Sequence, residues 1–488
     1  MRKRFDPQLS LGSTPIEQVV IINHARDELP GILKGLQWIF STAEVNEEIF
    51  ELLEDRILRD KKPTGRRGMD LWIILVLGVL KSGLDADYSR LSDLANNHGL
   101  IRQIMGLSPW GDGEEEFSYQ SICDNVNLLD EELLRKINLI VSRHGRELFK
   151  KKETEGIEIK TDGYVLETNV HFPTDINLLW DSVRKCIDII EKINQKHPLG
   201  GWRKSQNWRN RFKKVKLYLE RANRGGGKNK EQRLLRFAQQ YLDLGFRLEE
   251  KIFASIKEVG SLPVVANINK QLIELEDFHA MVMHHLLLVH DRLIEDKVID
   301  HQDKYFSIFE RHTEWINKGK SGNRIELGHV VLVSADQNRL ILDYQVLEKQ
   351  SEKEGLLDSV SRLLDNYEEP IVSLSTDRGF YVRENKELLE SYIEDVCIPK
   401  PGKKTVKQRE EEQRPRFKEL RCKHSSIESI INSLEHHGLN RCLHKGIDGF
   451  QRYVGYGILA YNLHQIGNQL HENETLKEEK LKRKLARN

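Results

Sequence analysis

EPIVSLSTDRGFY, Glu369 to Tyr381, is the stretch whose reading decides the fold. After Pro370 comes a short run rich in apolar and β-branched residues that ends in Thr376-Asp377, and Arg378-Gly379 breaks the pattern. A run of this kind reads as a buried central strand that delivers one carboxylate to a sheet edge and then turns away. Two further carboxylates can be placed around Asp377. Asp162 ends the alternating run Ile157 to Asp162, and Glu428 sits in the helical pattern Ser425 to Ile431. We read these three acids as sharing divalent metal.

Working outward, the chain up to about residue 150 reads as helices. They include the apolar run Leu71–Leu80, with Asp70 as its cap and Ser82-Gly83 as its end. Tyr88–Ala95, a polar turn at Asn96–Gly99, then Leu100–Met105 has the outline of a helix-turn-helix, although any two packed helices look like this. Lys61–Gly68 is a basic joint and Trp110–Glu116 an acidic loop. At Gly156 the period changes to two, and Ile157–Asp162 with Tyr164–Phe172 reads as two strands around a tight turn at Gly163. A helix follows, with Asp175 as its cap.

Strands resume at Arg324–Ser334 and Arg339–Leu347, with a helix Glu354–Asn366 before the central strand. A helix Glu384–Tyr392 and a strand Val396–Pro399 come next. Pro401–Pro415 reads as a loop, Glu419–His437 as the helix carrying Glu428, Tyr453–Leu470 as a last helix and Lys477–Asn488 as a basic tail. The order predicts an α/β fold: a mixed sheet split by a long helical insertion and preceded by an all-α N-terminal domain over 1–150, which is expected to bind DNA.

Bulk composition bounds the function. Of 488 residues, Lys+Arg number 76 and Asp+Glu 76, so the totals favour neither a polyanionic partner nor its absence. The distribution is uneven. Trp202–Arg236 holds thirteen Lys/Arg against two acids, interleaved with Trp202, Trp208, Phe212 and Tyr218. Basic groups mixed with aromatics suit phosphate neutralisation and stacking, and the candidates are Trp202, Arg203, Lys204, Arg209, Arg211, Lys213 and Lys214. A solvated helical face is the plainer alternative. The five cysteines contain no C-x-x-C pair, which suits a reducing compartment and gives no zinc signal. The longest apolar run is too short to span a bilayer, and the N-terminus lacks a signal-peptide core, so a soluble intracellular protein is expected.

Three acids from distant parts of a chain suit phosphodiester chemistry. Two Mg²⁺ ions about 4 Å apart activate the attacking oxygen and stabilise the leaving one, and Mg²⁺ prefers carboxylate oxygen. Mn²⁺ would serve in the same place. Rival acids remain open: Glu167, Asp175 and Asp181 for the first position, Glu419 and Glu435 for the third.

The chain resembles bacterial insertion-sequence transposases of the DDE type, which have an RNase H-like catalytic fold. The matching segments are KTDGYVLETNVHFPTDINLLWDSVRK (Lys160–Lys185), FERHTEWINKGKSGNRIELGHVVLV (Phe309–Val333), STDRGFY (Ser375–Tyr381) and HSSIESIINSLEHHGLNRCLHKGIDGFQRYVGYGILAYNL (His424–Leu463). The resemblance implies that Asp162, Asp377 and Glu428 are the metal-binding triad. It implies catalytic-core pieces at 151–175 and 311–470, an insertion at 176–310 and a tail at 471–488. It also implies double-stranded DNA ends and target as substrate, a homodimer on paired ends, no membrane, and a cytoplasmic, nucleoid-associated place in a bacterium. Where related transposases carry Tyr, Arg and Lys around the glutamate, this chain has Arg421, His424 and Glu435, so Arg421, Lys423 and Arg441 become substitutes for phosphate contact. Arg378, beside Asp377, is another. His312, Glu314 and Trp315 fall in a matching segment and suit either the site or packing. His171 reads as a turn residue, and His436, His437 and His464 as solvated or core residues.

Overall fold

The computed structural model describes residues 2–5, 13–22, 27–59, 68–110, 116–149, 156–263, 266–317 and 325–485. Most of the basic joint at Lys61–Gly68, most of the loop Trp110–Glu116, Arg324 and the last three residues of the tail lie outside them. The chain forms two compact units: Met1–Asn169 with Ile316–Asn488, and Val170–Trp315.

The first unit begins with helices α1 (Glu28–Ser41), α2 (Ala43–Leu58), α3 (Leu71–Gly83), α4 (Tyr88–Asn97), α5 (Gly99–Ile104), α6 (Tyr119–Val126) and α7 (Glu131–Glu147). Asp87, Ser118 and Asp130 start α4, α6 and α7 by accepting from backbone N–H groups of the first turn. Asp70 stands at the cap position of α3 but makes no such bond. Every residue of α3 is buried, so its apolar run is the middle of a helical core. The helix-turn-helix outline is present as α4 and α5, and α5 is packed against its surroundings. In α5, Ile101, Arg102 and Ile104 are buried, and the Arg102 guanidinium donates to Ser108 O at 2.7 Å and Ala95 O at 3.3 Å.

Strand β1 (Ile157–Thr168) is continuous, so the expected hairpin at Gly163 does not form. β3 pairs along this whole stretch, with Gly163 opposite Leu332, and the ladder leaves no place for a turn. A Cβ at position 163 would meet the Glu352 carboxylate, the tip of a flexible side chain that would have to move aside.

The second unit is built on α8 (Asp175–Asn194), α9 (Ser205–Arg224), α10 (Lys230–Gly260) and α11 (Ala266–Leu293). They share one apolar core, including Leu179, Phe212, Tyr241, Leu248 and Leu286. Thr174, one residue before the expected Asp175, caps α8.

The chain then supplies β2 (Glu314–Asn317), β3 (Ile325–Ala335), β4 (Ile341–Leu347), α12 (Glu352–Asn366), β5 (Ile371–Ser375), α13 (Arg383–Leu389) and β6 (Asp395–Cys397). After these come α14 (Val406–Gln413), α15 (Pro415–His424), α16 (Ser426–Leu434), β7 (Arg441–Cys442) and α17 (Gly446–Leu485). The seven-stranded mixed sheet runs β2-β3-β1-β5-β6, with β4 on β3 and β7 on β1. Strand β1 is antiparallel to β3 and parallel to β5 and β7. α1, α3 and α7 pack with α17, which places the N-terminal helices in the same unit as the sheet.

Three boundaries differ from expectation. The loop Pro401–Pro415 contains α14, which buries nothing and starts from a capping box of Thr405 and Gln408. The helix Glu419–His437 is two helices broken at Ser425, whose hydroxyl donates to Cys422 O at 2.8 Å and competes with the helical ladder. The last helix runs on to Leu485 through an exposed segment of good helix formers.

Candidate metal centre

Register decides the site. β1 and β5 are parallel neighbours with Lys160 opposite Ser375. Asp162 and Asp377 each lie two residues further on, Asp377 just past the end of β5, so both acids stand at the same end of these two neighbours. Asp377 opens a short 3₁₀ turn, Arg378–Phe380, and accepts from Gly379 N at 2.6 Å. Asp162 accepts from Gly163 N at 2.8 Å.

Glu428 comes from the first turn of α16. Ile427, Ile430 and Ile431 of that helix pack with Tyr164, Leu166 and Val331 of the sheet, and Glu428 stays exposed, within electrostatic reach of Asp162. Two polar ties hold this arrangement. Lys160 Nζ donates to Ser426 Oγ at 2.8 Å, and Ser375 Oγ lies 3.4 Å from His424 Nδ1. Lys160, Ser375 and Ser426 each precede one of the three acids by two residues.

The electrostatics show the acids acting on one another. Burial, then Asp377, Glu352 and Glu428, push the Asp162 carboxyl up to about 6, against the Gly163 N–H that favours its charged form. Burial lowers the His424 imidazole, while Asp377 and Glu428 pull it back up. Glu352, the first residue of α12, is thus a fourth acid in this field. Sequence reasoning passed over it, because a helix-starting Glu carries no sign of facing a glycine of another strand. Lys160 was legible only as a same-face neighbour of Asp162.

Of the rival acids, all but Glu435 are held in ion pairs elsewhere. Glu167 pairs with Arg441 at 2.9 Å, Asp175 with Arg292 at 2.8 Å and Asp181 with His171 at 3.2 Å. Glu419 pairs with Lys423 at 2.9 Å and Arg416 at 3.1 Å, and Glu435 lines a polar cavity of about 400 Å³ with Asp85, Glu326 and Arg441. Among the described residues, Asp162, Asp377 and Glu428 have no ion-pair partner. No group of three or more His, Cys, Asp or Glu among the described residues is arranged to hold a metal ion. The donor set still fits a hard divalent cation: it is all carboxylate, and such a cation would offset the burial and the smaller mutual repulsion that raise Asp162.

The expected DNA-contacting residues divide. Trp202 is corrected: it is 1 % exposed and its indole N–H donates to Ser255 Oγ at 2.7 Å, so it is a core residue of the second unit. Phe212 is buried as well. Amphipathic packing of α9 explains the interleaved aromatics better than stacking on bases. Arg209 is held by Asp188 at 2.6 Å and Glu191 at 2.8 Å. Arg203, Lys204, Arg211, Lys213 and Lys214 are exposed. In the first unit Arg378 and Arg421 are exposed, whereas Lys423 is drawn to Glu158 at 3.0 Å and to Glu419. In the second unit His312 lies 3.1 Å from Glu310. Among the described residues no helix is long and apolar enough to cross a membrane.

The mixed α/β unit thus carries two aspartates on neighbouring parallel segments, with a helix-borne glutamate in the same field. A family model described as "Transposase DDE domain" matches residues 292–463, about a third of the chain. Over that segment the chain is similar to the DDE domains of transposases, which supports a DDE-type transposase. The matched segment contains Asp377 and Glu428 and begins after Asp162. No curated protein and no solved structure matched the chain.

Proposed function

We propose that this chain is a DDE-type transposase that binds the terminal inverted repeats of an insertion sequence, cuts at the ends and joins the freed 3′-hydroxyls to target DNA, in an RNase H-like catalytic domain. The observation that carries the reading is the Lys160–Ser375 register, which sets Asp162 and Asp377 side by side, with Glu428 in their field and none of the three neutralised by a base. Asp162, Asp377 and Glu428 would hold two divalent ions, Mg²⁺ or Mn²⁺. Such ions supply an activated attacking oxygen and a stabilised leaving oxygen.

The chain's own residues do the positioning. Lys160 fixes the start of α16 against β1 and so sets Glu428 relative to Asp162. The Gly379 N–H holds one oxygen of Asp377 and leaves the other for a ligand. Arg378 and Arg421 stand exposed on the segments flanking the acids, where they would meet substrate phosphate. Exposed Arg203, Lys204, Arg211, Lys213 and Lys214 would hold the DNA backbone further along, and paired ends call for a homodimer.

Cleavage of a labelled duplex bearing the element's own ends, with Mg²⁺, tests this against Asp377→Asn. Nicking at the ends by the unaltered chain, lost in the variant while binding survives, is the expected result. Binding without cleavage in Mg²⁺ or Mn²⁺ would overturn it and leave a DNA-binding protein without catalysis. Nicking with no joining of ends would leave a nuclease.

A further inference from the structure

Away from the acids, the first unit gathers basic side chains that meet no acid. Lys81, near the end of α3, is 7 % exposed, with its ammonium 5.0 Å from the centre of the Tyr88 ring and 5.6 Å from that of Tyr453. Among the described residues that ammonium makes no hydrogen bond or ion pair. His444, between β7 and α17, lies nearly parallel to Tyr88 at 6.5 Å and edge-on to Tyr453 at 5.1 Å. Both of its ring nitrogens are buried without a well-formed hydrogen bond, as is Nε of Arg452 in α17.

These groups feel one another. Burial, then Lys81 and Arg452, push the His444 imidazole down to about 3, against a weaker backbone contact at Gly449 that falls short of a well-formed hydrogen bond, so at neutral pH it is uncharged and carries one N–H. Burial also lowers Lys81, opposed by Cys442, Asp85 and Cys123 around it. Asp85 is the acid in reach, yet its carboxylate is turned toward Gly438, where a Cβ would meet it, and it forms no ion pair with Lys81. Buried donors left unmet are costly, and the surrounding tyrosine rings keep water from meeting them cheaply.

We propose that Lys81, Arg452 and His444 form a binding site for a phosphate group. An ammonium, a guanidinium edge and an imidazole N–H, coming from three separate segments, match the several oxygens of a tetrahedral oxyanion. A spherical halide meets the charge but not the spread of donors. The group comes from one of two sources: free phosphate, or the phosphodiester backbone of a nucleic acid.

The test uses the full chain and two arms. In the first, thermal unfolding is followed while inorganic phosphate is titrated against sodium chloride at matched ionic strength. A saturable rise in Tm with phosphate alone is expected. Arg452→Gln, at a half-buried position, is expected to weaken it by about tenfold, and Lys81→Met to remove it. Asp377→Asn must keep it, which separates this site from the reading of the acids. In the second arm, duplex DNA binding at fixed salt is compared for the same variants. A loss of affinity in Arg452→Gln assigns the site to backbone phosphate, and unchanged DNA affinity with the phosphate response lost assigns it to free phosphate. The proposal falls if the unaltered chain shows no response to phosphate beyond that to chloride and the variants bind DNA normally. It falls equally if folded Lys81→Met and Arg452→Gln respond to phosphate as the unaltered chain does.

Discussion

Trp202 and Arg211 lie nine positions apart in the same basic stretch, yet they predict opposite phenotypes. The Trp202 indole is enclosed and its N–H satisfied by Ser255, so Trp202→Ala should cost about 3–5 kcal/mol of stability through the cavity it leaves. Chemical denaturation measures this, and a loss of DNA affinity at constant stability would sink it. His285 makes a second case. It is fully buried, its Nδ1 lies 2.7 Å from Met281 O, and its Nε2 has no partner. Burial pushes the imidazole down to about 4. The unfolded chain therefore takes up a proton below about 6.5 that the folded chain refuses until about 4. Stability is complete above that window and falls as pH drops through it, by about 3 kcal/mol at most at roughly 1.4 kcal/mol per unit. Urea midpoints at pH 7.5 and 5 for the unaltered chain and His285→Gln check this. An equal drop in both would show that other groups carry the acid sensitivity.

At the scale of elements, the tightest joint is between α1 and α17. A Cβ on Gly467 would run into the backbone of Gly31, and one on Gly35 into the carbonyl of Leu463. Backbone cannot yield as a side-chain tip can, so Gly467→Val should cost at least about 3 kcal/mol. Ending the chain after Thr475 removes only exposed turns of α17 and should change stability by less than about 0.5 kcal/mol. Unfolding midpoints of the two variants decide the matter, and equal effects would mean that the close approach does not bear the load. Elements also show what the sequence made legible. The strand before Asp377 and the helical face of Ile427, Ile430 and Ile431 were plain, because a buried run and a 3.6 period are local signals. The turn at Gly163 was misread because the partner that keeps β1 straight lies about 170 residues away, at Leu332. The break at Ser425 was hidden by apolar spacing that continues across it. Glu352 entered the acidic field only through tertiary packing, and the interior role of Trp202 appeared only once α9 had a core to face.

At the scale of the whole molecule, equal numbers of basic and acidic residues conceal a strong local separation of charge. Arg211, Lys213 and Lys214 stand exposed on one helix with no ion pair among the described residues, whereas Arg209 on the same helix is neutralised by Asp188 and Glu191. If that face holds the DNA backbone, each phosphate it neutralises releases counterions and contributes about 0.9 to the slope of log affinity against log salt. Replacing Arg211, Lys213 and Lys214 together with Gln should lower the slope by about 2–3 if all three meet phosphate, with little change in stability. Arg209→Gln should move it by much less, because its charge is already spent on carboxylates. Affinity for one duplex measured from low to moderate salt gives the slopes directly. A slope unchanged in the triple variant would remove α9 from the DNA interface and shift the electrostatic footprint to Arg378 and Arg421 beside the acids. A fall equal in Arg209→Gln and the triple variant would instead mean that the ion pairs of Arg209 open on binding.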